Sequence, residues 1–167
     1  MTKRIAIIDS DNKDIISAIE KYFEGKDVEI NILDEVSEGF DLIVLTGFET
    51  ELKAQVNCTI LNVYPSLLPA FQGGEPIKEA FLAGIKVGGV SVHEVSYDKF
   101  FGRILAQYPV LIGNTTHIDE YTQEIIAVCL KLYPVVIEAI LNDKVFDFSD
   151  LFKSSCSGSC GGCRGCH

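Results

Sequence analysis

Short apolar runs of strand length alternate with segments of helical period in the first half of the chain, and that alternation constrains the fold most. RIAIID (Arg4 to Asp9) has the length of a buried strand. NKDIISAIEKYF follows, with Ile15, Ile16, Ile19 and Phe23 recurring at helical spacing until Gly25 stops the helix. VEINIL alternates as a second strand, and DLIVLTGF and CTILNVY read as a third and a fourth. Strands separated by helix-length segments form βαβ units. The expectation is therefore an α/β three-layer sandwich: a mostly parallel sheet covered by helices on both faces.

Downstream, GGEPIKEAFLAG predicts a helix with Pro76 in its first turn and Gly84 at its end. KVGGVSVHEV and RILAQYPVLI are two more strands, joined by a hairpin-like SYDKFFG. From His117 to Asn142 a long helix carries Ile125, Ile126, Val128, Cys129 and Leu132 on its apolar side, with a kink expected at Pro134. His117 opens that helix, in solvent.

Ligands of open α/β sheets bind beyond the carboxyl ends of the strands. Asp9 to Lys13, Gly47 to Glu51 and Asn62 to Ser66 all follow predicted strands, so they predict one crevice. Within it, NVYPSLLPAF (residues 62 to 71) places Asn62 at a strand end, with Tyr64 and Ser66 just beyond. Asn donates readily to a carbonyl oxygen. Tyr, with a pKa of about 10, is a poor proton shuttle at neutral pH.

The 167 residues favour one domain with a proper core. A net charge of −10, scattered rather than clustered, argues against nucleic acid, which needs a basic surface. No run reaches the roughly 18 apolar residues of a membrane span, and MTKRIAIID lacks signal-peptide anatomy. A cytoplasmic protein binding a small molecule is the expectation; its oligomeric state is not specified.

Six cysteines fall into two groups. Cys58 and Cys129 lie in apolar runs, as small buried hydrophobes do. Cys156, Cys160, Cys163 and Cys166 crowd a Gly/Ser-rich tail ending in His167, giving C-x3-C-x2-C-x2-C-H. The boundary expected is a domain over residues 1–152 and a metal-binding tail over 153–167. Gly and Ser let the four thiolates converge on one centre. An iron–sulfur cluster and zinc both fit four thiolates, with disulfide or disorder as the remaining alternatives.

Over residues 41–137, DLIVLTGF, LNVYPSLLPAFQGGEPIKEAFLAGIKVGGVSVHEV, GRILAQYPV and LYPVVI follow in order the pattern of phosphoribosylglycinamide formyltransferase. The chain resembles that family, and more broadly the formyltransferase fold. The resemblance implies transfer of a formyl group from 10-formyltetrahydrofolate to an amine, in purine biosynthesis. Asn62 matches the Asn that polarises the formyl carbonyl. Tyr64 stands where the family has its acid/base His, and Phe100 where it has the supporting Asp. The family's DGGP has become FFGR, residues 100 to 103. His93 matches the His of the family's TVH strand, and Asp98 lies two residues before the position of the missing Asp. The family's pterin pocket is built from two loops, here carrying Gly47 and Phe48, and Phe100 and Phe101. The Gly-rich phosphate loop is replaced by DSDNK, whose Asp9 and Asp11 repel an anion. The resemblance thus implies a diverged formyltransferase with folate-type binding and poor or absent purine-pathway transfer. The alternative is a non-catalytic regulatory module with a metal- or redox-sensing tail.

Overall fold

The computed structural model describes residues 2–8, 12–47 and 55–147. The elements within them are β1 (Lys3–Ile8), α1 (Lys13–Phe23), β2 (Val28–Leu33), β3 (Leu42–Leu45), β4 (Thr59–Tyr64), α2 (Pro76–Leu82), β5 (Val87–Val95), β6 (Ile104–Leu111) and α3 (Ile118–Leu141). The strands form one six-stranded sheet in the order β2-β1-β3-β4-β5-β6. Neighbours from β2 to β4 pair in parallel, while β5 is antiparallel to both β4 and β6. Only β5 therefore runs against the others, because a short turn, and no crossover helix, joins it to β6. The architecture is the Rossmann-like α/β fold expected from the strand–helix alternation.

Two apolar clusters sandwich the sheet. Ile5, Ile7, Leu42, Val44, Leu61 and Val63 meet all three helices on one face. Ala6, Ile8, Ile43, Leu45, Ile60 and Val95 form the cluster on the other. This strict alternation along β1, β3 and β4 is the period of two made visible. Besides Leu33 of β2, the described residues covering the second cluster come from connections: Val36, Phe40, Val56, Cys58 and Phe100. Helices on both faces were expected; those described all join the first cluster, and residues 48–54 fall outside the description.

The helix stripes follow their spacing. In α1 the buried residues are Ile15, Ile16, Ile19 and Phe23, as predicted. Ile125, Cys129 and Leu132 of α3 are buried, but Ile126 is 42% exposed, since one residue turns the side chain about 100° around the axis. Helical assignment continues through Pro134, which is itself buried. His117 is the exposed N-cap of α3 and shares a capping box with Glu120, whose Oε2 accepts from the His117 N–H at 2.9 Å. Tyr133 ties α3 to the sheet, its hydroxyl lying 3.0 Å from the Leu45 carbonyl and 2.9 Å from that of Leu61.

Candidate functional site

β1, β3 and β4 are parallel neighbours that end side by side, which brings Ile8, Leu45 and Asn62 toward one end of the sheet. Asn12 donates to the Thr46 carbonyl at 3.5 Å, and the Thr46 hydroxyl donates to Ile8 at 3.2 Å, which links the strand ends. Gly47 follows Thr46 there. Phe48 and residues 9–11 lie outside the described residues.

Asn62 pairs with His93 across the β4–β5 ladder, and Tyr64 with Ser91. Residues directly opposite one another project from the same face, so Asn62 and His93 are neighbours. Both are fully buried, at 0% exposure. Yet among the described residues Nδ2 and Oδ1 of Asn62 and Nε2 of His93 have no hydrogen-bond partner. Each such orphan costs about 1–3 kcal/mol relative to a satisfied group. The imidazole Nδ1 lies 3.0 Å from the Glu94 carbonyl, which can only accept, so Nδ1 carries the proton and Nε2 presents a bare lone pair. Burial pushes the His93 pKa below its ordinary value, outweighing the Glu94 carbonyl, so the ring is neutral at pH 7. The pair together offers a donor, from Asn62 Nδ2, and two acceptors.

Tyr64 is engaged elsewhere. Its hydroxyl donates to the Gly73 carbonyl at 2.7 Å and lies 3.3 Å from that of Phe71. Phe71 has φ of +52°, a left-handed conformation costing about 1–2 kcal/mol for a bulky residue, and Tyr64 braces the turn that holds it. The Tyr64 ring forms a wall of the site, edge-on to His93 at 6.4 Å and to Phe101 at 5.1 Å between centroids.

Phe100 and Phe101 fold back over the imidazole, with centroids 5.8 Å and 5.4 Å from it and 5.0 Å from each other. Such ring pairs contribute about 0.5–1.5 kcal/mol each beyond the area they bury. Asp98 is not brought to His93. It sits exposed in the β5–β6 turn, its carboxylate accepting from the Ser96 hydroxyl at 2.8 Å. The four tail cysteines lie outside the described residues, among which no group of three His, Cys, Asp or Glu could hold a metal.

Sequence reasoning overlooked the network that shapes the loop after β4. The Ser91 hydroxyl donates to the Ser66 carbonyl at 2.7 Å and accepts from the Leu68 N–H at 3.0 Å. Gln107 Nε2 reaches both Ser91 Oγ and the Leu68 carbonyl. The available signal was the polar residues at inward positions of two apolar strands. Beneath this loop, a cavity of about 30 Å³ is lined by Ser66, Phe71, Gly88 and Tyr121, among others.

The formyl transferase family model matches residues 4–137, most of the chain. The chain belongs to the formyl transferase family. It is similar to phosphoribosylglycinamide formyltransferase of Bacillus subtilis (strain 168), with 38% identity over 106 residues, 60% of this chain and 54% of that protein. The chain thus spans about half the length of this curated relative. Among solved structures, phosphoribosylglycinamide formyltransferase from Bacillus halodurans superposes with a TM-score of 0.66 at 25% identity, covering 83% of this chain and 95% of that one. The Campylobacter jejuni structure gives a TM-score of 0.70 at 24% identity, covering 83% and 97%, a likeness of fold. No described helix of this formyl transferase family member is long and apolar enough to cross a membrane.

Proposed function

We propose that this chain binds a folate or a related small carbonyl ligand at the Asn62–His93 pair, and that it has lost effective formyl transfer to glycinamide ribotide. The observation carrying this reading is the pair of buried side chains with three unpartnered polar atoms. An orphaned Asn amide fits the carbonyl of 10-formyltetrahydrofolate, a group that supplies an activated one-carbon unit. In this chain Asn62 Nδ2 would donate to the carbonyl oxygen, and neutral His93 would accept a hydrogen bond at Nε2.

Among the described residues, the placement of Tyr64 and Asp98 supports the second half. Tyr64 spends its hydroxyl on the Gly73 carbonyl, and Asp98 stays in the exposed turn. Loss of general acid/base help costs roughly 10²- to 10⁴-fold in rate. The acceptor's phosphate is also poorly served by Asp9 and Asp11 in the sequence after β1. His93 is the remaining titratable group at the pair, and its depressed pKa suits it to accept a proton only weakly at pH 7.

The reading extends to the tail. Four thiolates within residues 156–166 repel one another unless a cation neutralises them, so we assign Cys156, Cys160, Cys163 and Cys166 a thiophilic metal, iron–sulfur or zinc. The matching compartment is the reducing cytoplasm.

The test is a direct assay of formyl transfer alongside thermal shift with 5-formyltetrahydrofolate. A raised Tm that tracks ligand occupancy, with no measurable glycinamide ribotide formylation, is expected. Rescue of a purine auxotroph lacking its own transformylase would sink the proposal that transfer is lost.

A further inference from the structure

We propose that Phe100 and Phe101 form an aromatic arch, pinned at both ends, that covers the imidazole of His93 and must lift before a ligand meets Nε2, so that these two residues determine what the site admits. The inference rests on the reading of Asn62 and His93 as the binding pair.

The pins are backbone contacts on either side of the rings. On one side, Ser96 and Lys99 exchange N–H···O bonds of 3.0 and 3.1 Å, and the Ser96 hydroxyl donates to Asp98. On the other, Gly102 donates to the Glu94 carbonyl at 2.9 Å, and Glu94 to that of Arg103 at 2.9 Å. The Arg103 guanidinium adds an ion pair with Glu94 at 2.6 Å. Gly102 has to be glycine for this fit, because a Cβ there would stand 2.5 Å from the Glu94 oxygen. Between the pins, Phe100 and Phe101 are half-buried while His93 beneath them is fully buried.

Closed, the arch keeps the ring contacts but leaves the Nε2 lone pair without a partner. Open, it loses those contacts and lets water or a ligand bond to Nε2. The two states offset each other in kind, which is the balance a small gate requires. The entering group must donate to Nε2 and sit among the rings of Tyr64, Phe100 and Phe101. An N–H- or O–H-bearing group on a flat ring system meets both conditions.

Carbethoxylation by diethylpyrocarbonate tests the arch without any ligand, because it needs the unprotonated ring nitrogen. His117, exposed at the start of α3, serves as reference in the same sample. Mass spectrometry should find His93 in the wild type labelled at least about tenfold more slowly than His117, as for a site reached by local opening. Phe101→Ala and Gly102→Ala should each speed His93 labelling about tenfold, while Phe101→Leu, which keeps apolar bulk, stays near wild type. Far-UV circular dichroism and the urea midpoint of each variant separate lifting from unfolding. Wild-type His93 reacting as fast as His117 overturns the proposal, a comparison that needs no variant. Protection that persists in folded Phe101→Ala overturns it as well. Failure to bind folate would remove the folate reading and leave this labelling outcome to decide the arch by itself.

Discussion

Tyr64 illustrates how one side chain can brace the frame of a site. A hydroxyl that reaches the Gly73 carbonyl stabilises the turn after β4. Tyr64→Phe should lower stability by about 1 kcal/mol, read from urea unfolding, and should increase protease cleavage around residues 70–73. His93 gives a pH dependence with a defined sign. Its folded-state pKa lies below 6.5, so the unfolded chain takes up this proton first on acidification. The contribution is complete above the unfolded value and is lost as pH falls through the folded one. Glu138, held low by its bonds from Lys26 and Tyr22 against the opposing effect of burial, adds loss in the same direction at lower pH. Urea midpoints between about pH 5 and about pH 8 should therefore fall toward acid, and His93→Gln should flatten the upper part of that slope. An unchanged slope in the variant would refute the assignment.

At the scale of elements, α3 holds the molecule together through more than its apolar stripe. Tyr133 is fully buried, and its hydroxyl bridges carbonyls of β3 and β4, the strands that carry the crevice. Tyr133→Phe should cost about 1–3 kcal/mol, because two buried carbonyl contacts lose their donor while the packing volume is nearly unchanged. Calorimetric or urea unfolding would measure it, and a neutral result would mean those carbonyls are satisfied within the sheet. Cys129 lies in the same helix, and burial pushes its thiol up to about 12. It should resist iodoacetamide in the native protein and react on unfolding, because only the thiolate is the nucleophile.

For the whole molecule, the question is whether the α/β domain depends on its Cys-rich end. The two apolar clusters close around the sheet using residues up to Phe146. Cys163→Ser should therefore leave the main unfolding transition in place while abolishing metal binding. Metal analysis of full-length protein purified without oxygen should give either iron with a visible absorption that bleaches in air, or about one zinc per chain. Four titratable free thiols in the tail and no metal would end that proposal.

Local periodicity was enough to reveal the strands, the α1 stripe and the order of elements, because side-chain spacing along one segment is set by that segment's own backbone. The sequence itself placed Asn62 as a polar residue at a strand end, and the family resemblance singled out His93 and put Tyr64 and Phe100 at the positions of an acid/base pair. It could not tell where the Tyr64 hydroxyl would be spent, nor that Ile126 would face solvent beside buried Ile125. Only the tertiary structure set Asn62 opposite His93, turned Phe100 and Phe101 back onto the imidazole, and left Nε2 without a partner. Those outcomes depend on strand register and on burial by residues distant in sequence, and neither is written into the spacing of any one segment.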